Sequence, residues 1–169
     1  MIFKVLDKAL AKSEDTSGLF MLNQAFRFGI PFNIPHGFRL TRLDLKECQV
    51  VIPKIKTNQN HLNTIHACAM ATAGEFAAGV LLLKNYGASK VRLVLKNLNV
   101  DYVKQGTTKL TATASISDEK LLSFNTVMDA NSKVFADMET VLKNKDGELV
   151  ATVSTKWQIK LWSEVKTKF

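Results

Sequence analysis

From Ile65 to Leu83 the chain is almost wholly apolar and rich in Ala and Gly, and the one carboxylate in that run is Glu75. A helix that is apolar on every side must be enclosed, either by protein or by lipid. Its length approaches what a bilayer crossing requires. However, His66, Thr72 and Glu75 lie within it and polar, strand-like sequence flanks it, so the expected reading is a buried core helix without membrane insertion. The remainder of the chain must then supply the surface that covers it.

The flanking segments are patterned to do so. Ile2 to Ala11 sets Ile2, Phe3, Leu6, Ala9 and Leu10 on one helical face, and Ser13 to Gly18 interrupts it. With Ser17 as N-cap, Leu19, Leu22 and Phe26 repeat at helical spacing until Gly29 and Pro31. Phe32 to Gly37 is expected to be a loop. β-type patterning runs from Phe38 through Leu45 and again from Cys48 to Pro53. A polar loop, Asn58 to Asn63, leads into the apolar helix. After Gly87, Val91, Leu93 and Leu95 alternate, then change phase to Leu98, Val100 and Tyr102, which predicts one extra residue near Lys96 and Asn97. Gly106 turns into a Thr-rich strand, Thr107 to Ser117, and Ser117 caps a short helix to about Met128. Two strands close the chain: Val134 to Leu142 and Leu149 to Leu161, joined at Asp146–Gly147. The order predicts an α+β fold in which one largely antiparallel sheet wraps one helix and leaves strand edges for a second copy of the chain.

The length of 169 residues suits one domain, spanning 1–169, with a helical extension over 1–35 and a core over 36–162. The net charge of +8 is spread along the chain without a basic block or interleaved aromatics, which argues against nucleic acid. It leaves room for an anionic ligand such as coenzyme A. Lys4, Asp7, Lys8 and Lys12 break any secretory apolar core, so a cytoplasmic location is expected. Cys48 and Cys68 have neither zinc nor redox spacing and are expected as reduced thiols.

Chemistry concentrates in Asn58-Gln59-Asn60-His61-Leu62-Asn63-Thr64-Ile65-His66-Ala67-Cys68-Ala69, followed by Glu75. A lone carboxylate inside an apolar helix must be neutralised, paired or used. Burial moves it toward the range useful to a general base, whereas the bland reading is a hydrogen-bonded structural Glu. Free amides at the helix start, near His66, Ala67 and Cys68, suit an oxyanion. Ala67 and Glu75 stand about 12 Å apart along a helix, too far to serve one carbonyl carbon, so two subunits must cooperate. Asn60 either donates a hydrogen bond to the reaction or holds a turn. His61 either polarises a carbonyl or holds the loop, and His66 reads chiefly as a helix cap. Cys68 reads chiefly as a packing residue, for want of a base partner. No His/Glu spacing suits a metal.

These residues resemble the N-H-x-G-T-x-H-G-G signature of the 4-hydroxybenzoyl-CoA thioesterase superfamily, particularly hotdog-fold thioesterases of the phenylacetate-degradation type and their uncharacterised relatives. The resemblance implies a hotdog domain and a homodimer or dimer of dimers acting on acyl-CoA or acyl-carrier-protein thioesters. No cofactor beyond the coenzyme A of the substrate is implied. By position, Asn60, His61, Ala67 and Glu75 are the implied catalytic set, with Thr64, His66 and Cys68 beside the substrate. Asn60 and the Ala67 amide of one chain are implied to face Glu75 of the other. Asn63 stands where the signature has Gly, and Ala67-Cys68 where it has Gly-Gly. Asn tolerates left-handed backbone, and Ala67 keeps its amide. A 3-hydroxyacyl-thioester dehydratase, which also pairs a loop His with a helix Glu, is the alternative enzyme. An acyl-CoA or fatty-acyl binding module without turnover is the non-enzymatic one.

Overall fold

A computed structural model describes residues 2–166; the side chain of Ile2, assigned above to the first apolar face, lies outside the described residues. Helices α1 (Ile2–Ala11) and α2 (Thr16–Gly29) come first, then strands β1 (Arg39–Leu43) and β2 (Glu47–Ile52) and the long helix α3 (Ala67–Tyr86). Strands β3 (Val91–Tyr102) and β4 (Leu110–Ser115), helix α4 (Asp118–Asn131), and strands β5 (Lys133–Asn144) and β6 (Leu149–Leu161) follow. The strands form one sheet in the order β1-β2-β4-β5-β6-β3, antiparallel throughout.

Alternation along the strands turns one face of the sheet inward. Cys48, Val50 and Ile52 of β2, Ala112 and Ala114 of β4, Ala136 and Leu142 of β5, and Val153 and Ile159 of β6 are all fully buried. α3 lies on that face, burying the run Phe76–Leu82. Two glycines set its distance from the sheet. A Cβ on Gly74 would fall 2.5 Å from a methyl of Val153, and one on Gly79 would fall 3.1 Å from the Trp157 ring. The buried Thr140 hydroxyl donates to the Gly74 carbonyl at 3.0 Å.

α1 is fastened to the far end of α3. The Asp7 carboxylate accepts from the Ala88 amide at 2.6 Å, and Lys84 Nζ donates to the Leu10 carbonyl at 2.8 Å. In β3, the register slips between Leu95 and Asn97 opposite Trp157 and Lys156, which is the bulge the change of phase predicts.

Several boundaries differ from the sequence reading, each for a local reason. Asp15, not Ser17, is the N-cap of α2, and Ser17 lies within the helix. Gly18, whose absent Cβ lets the backbone press on the Lys12 carbonyl, allows α2 to begin directly after the turn. The expected loop over Phe32–Gly37 is mostly a 3-10 helix, Pro31–His36, because Pro31 presets a helical φ. β1 stops at Leu43, where the Asp44 carboxylate accepts from the Lys46 and Glu47 amides, both at 2.8 Å. Ile65 is not helical: it bridges Gln59 and Gly106, so α3 starts at Ala67 and continues to Tyr86. β4 spans only Leu110–Ser115, leaving Ser117 free to accept from the Lys120 amide as the cap of α4, which runs on to Asn131.

Candidate active site

The loop before α3 is held by two asparagines. Asn58 is fully buried; its Nδ2 donates to the carbonyls of His36 and Pro53 at 2.8 and 2.9 Å, and its Oδ1 meets His36 Nδ1 at 2.8 Å. Asn60 Oδ1 accepts from the Leu62 amide at 2.9 Å and the Thr64 amide at 3.2 Å, while its Nδ2 donates to Thr64 Oγ1 at 3.0 Å. The Asn60 side chain and the buried Thr64 therefore form the frame of the turn. Asn63 sits in the left-handed region at φ 56°, so asparagine here adopts the backbone for which the signature uses glycine.

That turn delivers the start of α3 with the Ala67 amide left open among the described residues. The His66 amide donates to the Asn58 carbonyl at 2.7 Å, and the Cys68 amide donates to His66 Nδ1 at 3.0 Å, which makes His66 the N-cap. Between them, the Ala67 amide meets no protein acceptor among the described residues. Of the three amides nominated from sequence, Ala67 alone is free to receive an oxyanion. It borders a depression of about 350 Å³ shared with Asn60, Thr64, Tyr102 and Lys104. Tyr102, whose sequence pattern marks only a strand position, donates its hydroxyl to the Ala67 carbonyl at 2.9 Å. No spacing rule links positions so far apart, so this contact had no sequence signal.

Glu75 opens elsewhere. Cys68, Thr72, Glu75 and Gly79 follow one another at helical spacing along one face of α3, and all four line a cavity of about 720 Å³. Its other walls are largely aromatic and aliphatic: Phe26 and Ile30 around α2, Leu93 and Leu95 on β3, and Trp157 on β6. Burial in these surroundings pushes the Glu75 carboxyl up to about 7. No salt bridge or side-chain hydrogen bond to Glu75 is present among the described residues. Arg92, whose Nε is buried with no hydrogen-bond partner among the described residues, is the basic residue of the lining.

The two halves of the predicted site thus occupy separate cavities of one chain. Asn60, Thr64 and Ala67 gather at the start of α3, whereas Glu75 and Cys68 face the larger cavity. His61 is exposed on the loop and lines neither cavity. Cys68 is exposed and Cys48 is buried, both as free thiols. Among the described residues, no group of three or more His, Cys, Asp or Glu side chains gathers to hold a metal ion.

The model of a family described as a domain of unknown function, DUF4442, matches residues 18–159. No curated protein matches the chain. Among solved structures, a Pseudomonas aeruginosa protein described as of unknown function and a probable thioesterase superposes with a TM-score of 0.76 at 20% identity. That match covers 84% of this chain and 95% of the other. A Haemophilus influenzae thioesterase superposes with a TM-score of 0.69 at 11% identity, over 91% of this chain and 98% of its own. A Pseudomonas aeruginosa thioesterase variant carrying a Gln-to-Ala change gives 0.69 at 13%, over 87% and 96%. At these identities the likeness is one of fold: an α+β hotdog, with a six-stranded antiparallel sheet curled on a central helix.

Proposed function

The chain belongs to the DUF4442 family, and from that membership and its hotdog fold we propose that it hydrolyses acyl thioesters, with Glu75 as the base. The observation that carries the reading is the lone Glu75 carboxylate lining a large, mostly apolar cavity, with no ion-pair partner among the described residues. The thioesterases among the solved structures of the same fold support the reaction class.

In the proposed reaction the Glu75 carboxylate takes a proton from water as its oxygen bonds to the thioester carbonyl carbon. The carbonyl oxygen gains the negative charge and is received by a free helix amide. Collapse of the tetrahedral adduct breaks the carbon–sulfur bond, and the thiolate leaves and is protonated. A carboxyl near 7 is half ionised at neutral pH, which suits a base better than an ordinary Glu would. Direct attack by Glu75, with an anhydride intermediate, is the other route; incorporation of solvent oxygen into Glu75 under single turnover distinguishes it.

Within one chain the Ala67 amide stands about 12 Å along α3 from Glu75, so we assign the oxyanion site to Ala67 of the partner subunit. β3 supports such pairing: it is a sheet edge, and Val94, Leu98, Tyr102 and Val103 along and just beyond it are exposed. Asn60 then acts by holding the turn that presents the amide. Coenzyme A or a carrier protein bears the thiol, and two chains make the smallest active unit.

The test is release of free thiol from a panel of acyl-CoAs by the native protein and by Glu75→Gln. Turnover that the substitution abolishes supports the reading. Reversible hydration of an enoyl thioester without thiol release would instead indicate a dehydratase, and ligand binding without either reaction a binding module.

A further inference from the structure

The cavity beside Glu75 is lined along much of the length of α3 and by residues beyond its end. It follows α3 from Cys68 to Leu83 and continues past the helix to Ala88 and Val91. Strand alternation sends Leu93 and Leu95 to its inner side, opposite Ile159 and Trp157 of β6. At the far end stand Phe3 and Leu6 of α1 together with Trp162. The Phe3 and Trp162 rings lie 5.7 Å apart, and Trp162 Nε1 donates to the Ala88 carbonyl at 3.1 Å, pinning the indole beyond the helix terminus.

From this geometry we infer that the cavity takes a straight, saturated acyl chain of medium length, running from Glu75 along α3 and stopped by Phe3 and Trp162. The inference rests on the thioester reading for its reacting end and on the cavity alone for its length. Glu75 to Leu83 is eight residues, or about 12 Å of helix. An extended chain advances roughly 1.2 Å per bond, so about ten bonds reach Leu83, and a chain of about decanoyl to dodecanoyl length meets the aromatic wall beyond it. Apart from Arg92, the walls along this path are largely aromatic and aliphatic, so each added methylene gains burial until the aromatic wall is reached and then loses it to overpacking. Shorter acyl groups leave apolar volume unfilled.

Two measurements read this separately from catalysis. The chain has two tryptophans, Trp157 and Trp162, and both line the cavity, so quenching of native fluorescence by free fatty acids reports occupancy directly. Hydrolysis of the acetyl-to-palmitoyl CoA series reports turnover. In both, decanoate or its neighbours are expected to be preferred over acetate and palmitate by about tenfold or more. Phe3→Ala removes part of the wall and is expected to move the optimum toward longer chains. Leu83→Phe fills the path and is expected to move it toward shorter ones.

A fatty-acid optimum in this range without hydrolysis of any acyl-CoA refutes the thioester reading and leaves the inference standing. Hydrolysis with a profile indifferent to length, or an optimum at an aromatic acyl group, overturns the inference and leaves the reaction standing. An optimum unmoved in both variants also overturns it.

Discussion

Thr140 and Gly74 are joined across the sheet–helix interface: the buried threonine hydroxyl donates to the glycine carbonyl at 3.0 Å, one residue ahead of Glu75. On the same residue a Cβ would enter the Val153 side chain at 2.5 Å. The position of the acidic residue is thus fixed by a bond and a close approach on its neighbour. Gly74→Ala is expected to destabilise the fold by about 1–3 kcal/mol through overpacking. Thr140→Val, which keeps the shape and loses the bond, is expected to cost about 1 kcal/mol. Urea denaturation checks both, and an alanine variant as stable as the native protein would show that α3 does not rest on β6 in this way.

The Glu75 carboxyl has a defined signature in pH. Its folded value, about 7, exceeds its unfolded value, so between the two the folded state binds the extra proton and stability falls as pH rises. The loss begins near the ordinary carboxylate range and levels above the folded value, at up to about 3 kcal/mol. Glu75→Gln is therefore expected to stabilise the protein at pH 8 and to change little in mild acid. If Glu75 is the base, kcat/KM rises with pH through the same region and then flattens. Melting curves and pH–rate profiles read the two effects, and a variant less stable than native at alkaline pH would contradict the cause assigned to the shift.

Asn63 supplies a test of the loop. At φ 56° glycine is free and asparagine is tolerated, but a β-branched residue is not. Asn63→Gly is expected to be near neutral for folding and for acyl-thioester turnover. Asn63→Val is expected to cost about 1–2 kcal/mol and to disturb the turn that Asn60 and Thr64 frame. Equal stability of the two variants would mean that the turn adopts another conformation.

The thiols separate by place. Cys48 is fully buried in β2, and burial raises its thiol far above the usual range, whereas Cys68 is exposed on the cavity face of α3. A maleimide is expected to label Cys68 promptly and Cys48 only on unfolding, which peptide mapping resolves. A bulky adduct on Cys68 is expected to slow acyl-thioester turnover by obstructing the cavity, while Cys68→Ala is expected to retain it. Turnover unaffected by labelling would place the substrate path on another side of α3.

The apolar helix, the succession of elements along the chain, the β3 bulge and the isolated Glu75 are legible because each leaves a local imprint: an unbroken apolar run, a period of two, a change of phase, a charge where none is expected. Helix starts were less so. Ile65 looks helical by composition and is held instead by Gly106, a partner more than a loop away, and Ser17 yields its expected capping role to Asp15. The emptiness of the Ala67 amide depends on what its neighbours bond, namely Asn58 and His66, and the contact from Tyr102 depends on tertiary placement. The structural readings of Asn60 and His66 rest on the hydrogen bonds they make, which sequence alone does not specify.

The bond from Asp7 to the Ala88 amide closes a separation of 81 residues. A contact of such span carries a loop-closure cost that local pairings escape, and it is expected to form after the intervening sheet has gathered. Helix α1 is therefore expected to dock late, and native-state hydrogen exchange should find its amides opening before those of α3. The wall that Phe3 contributes to the cavity is then expected to loosen before the sheet does, so the far end of the cavity answers to the docking of α1 rather than to the stability of the core.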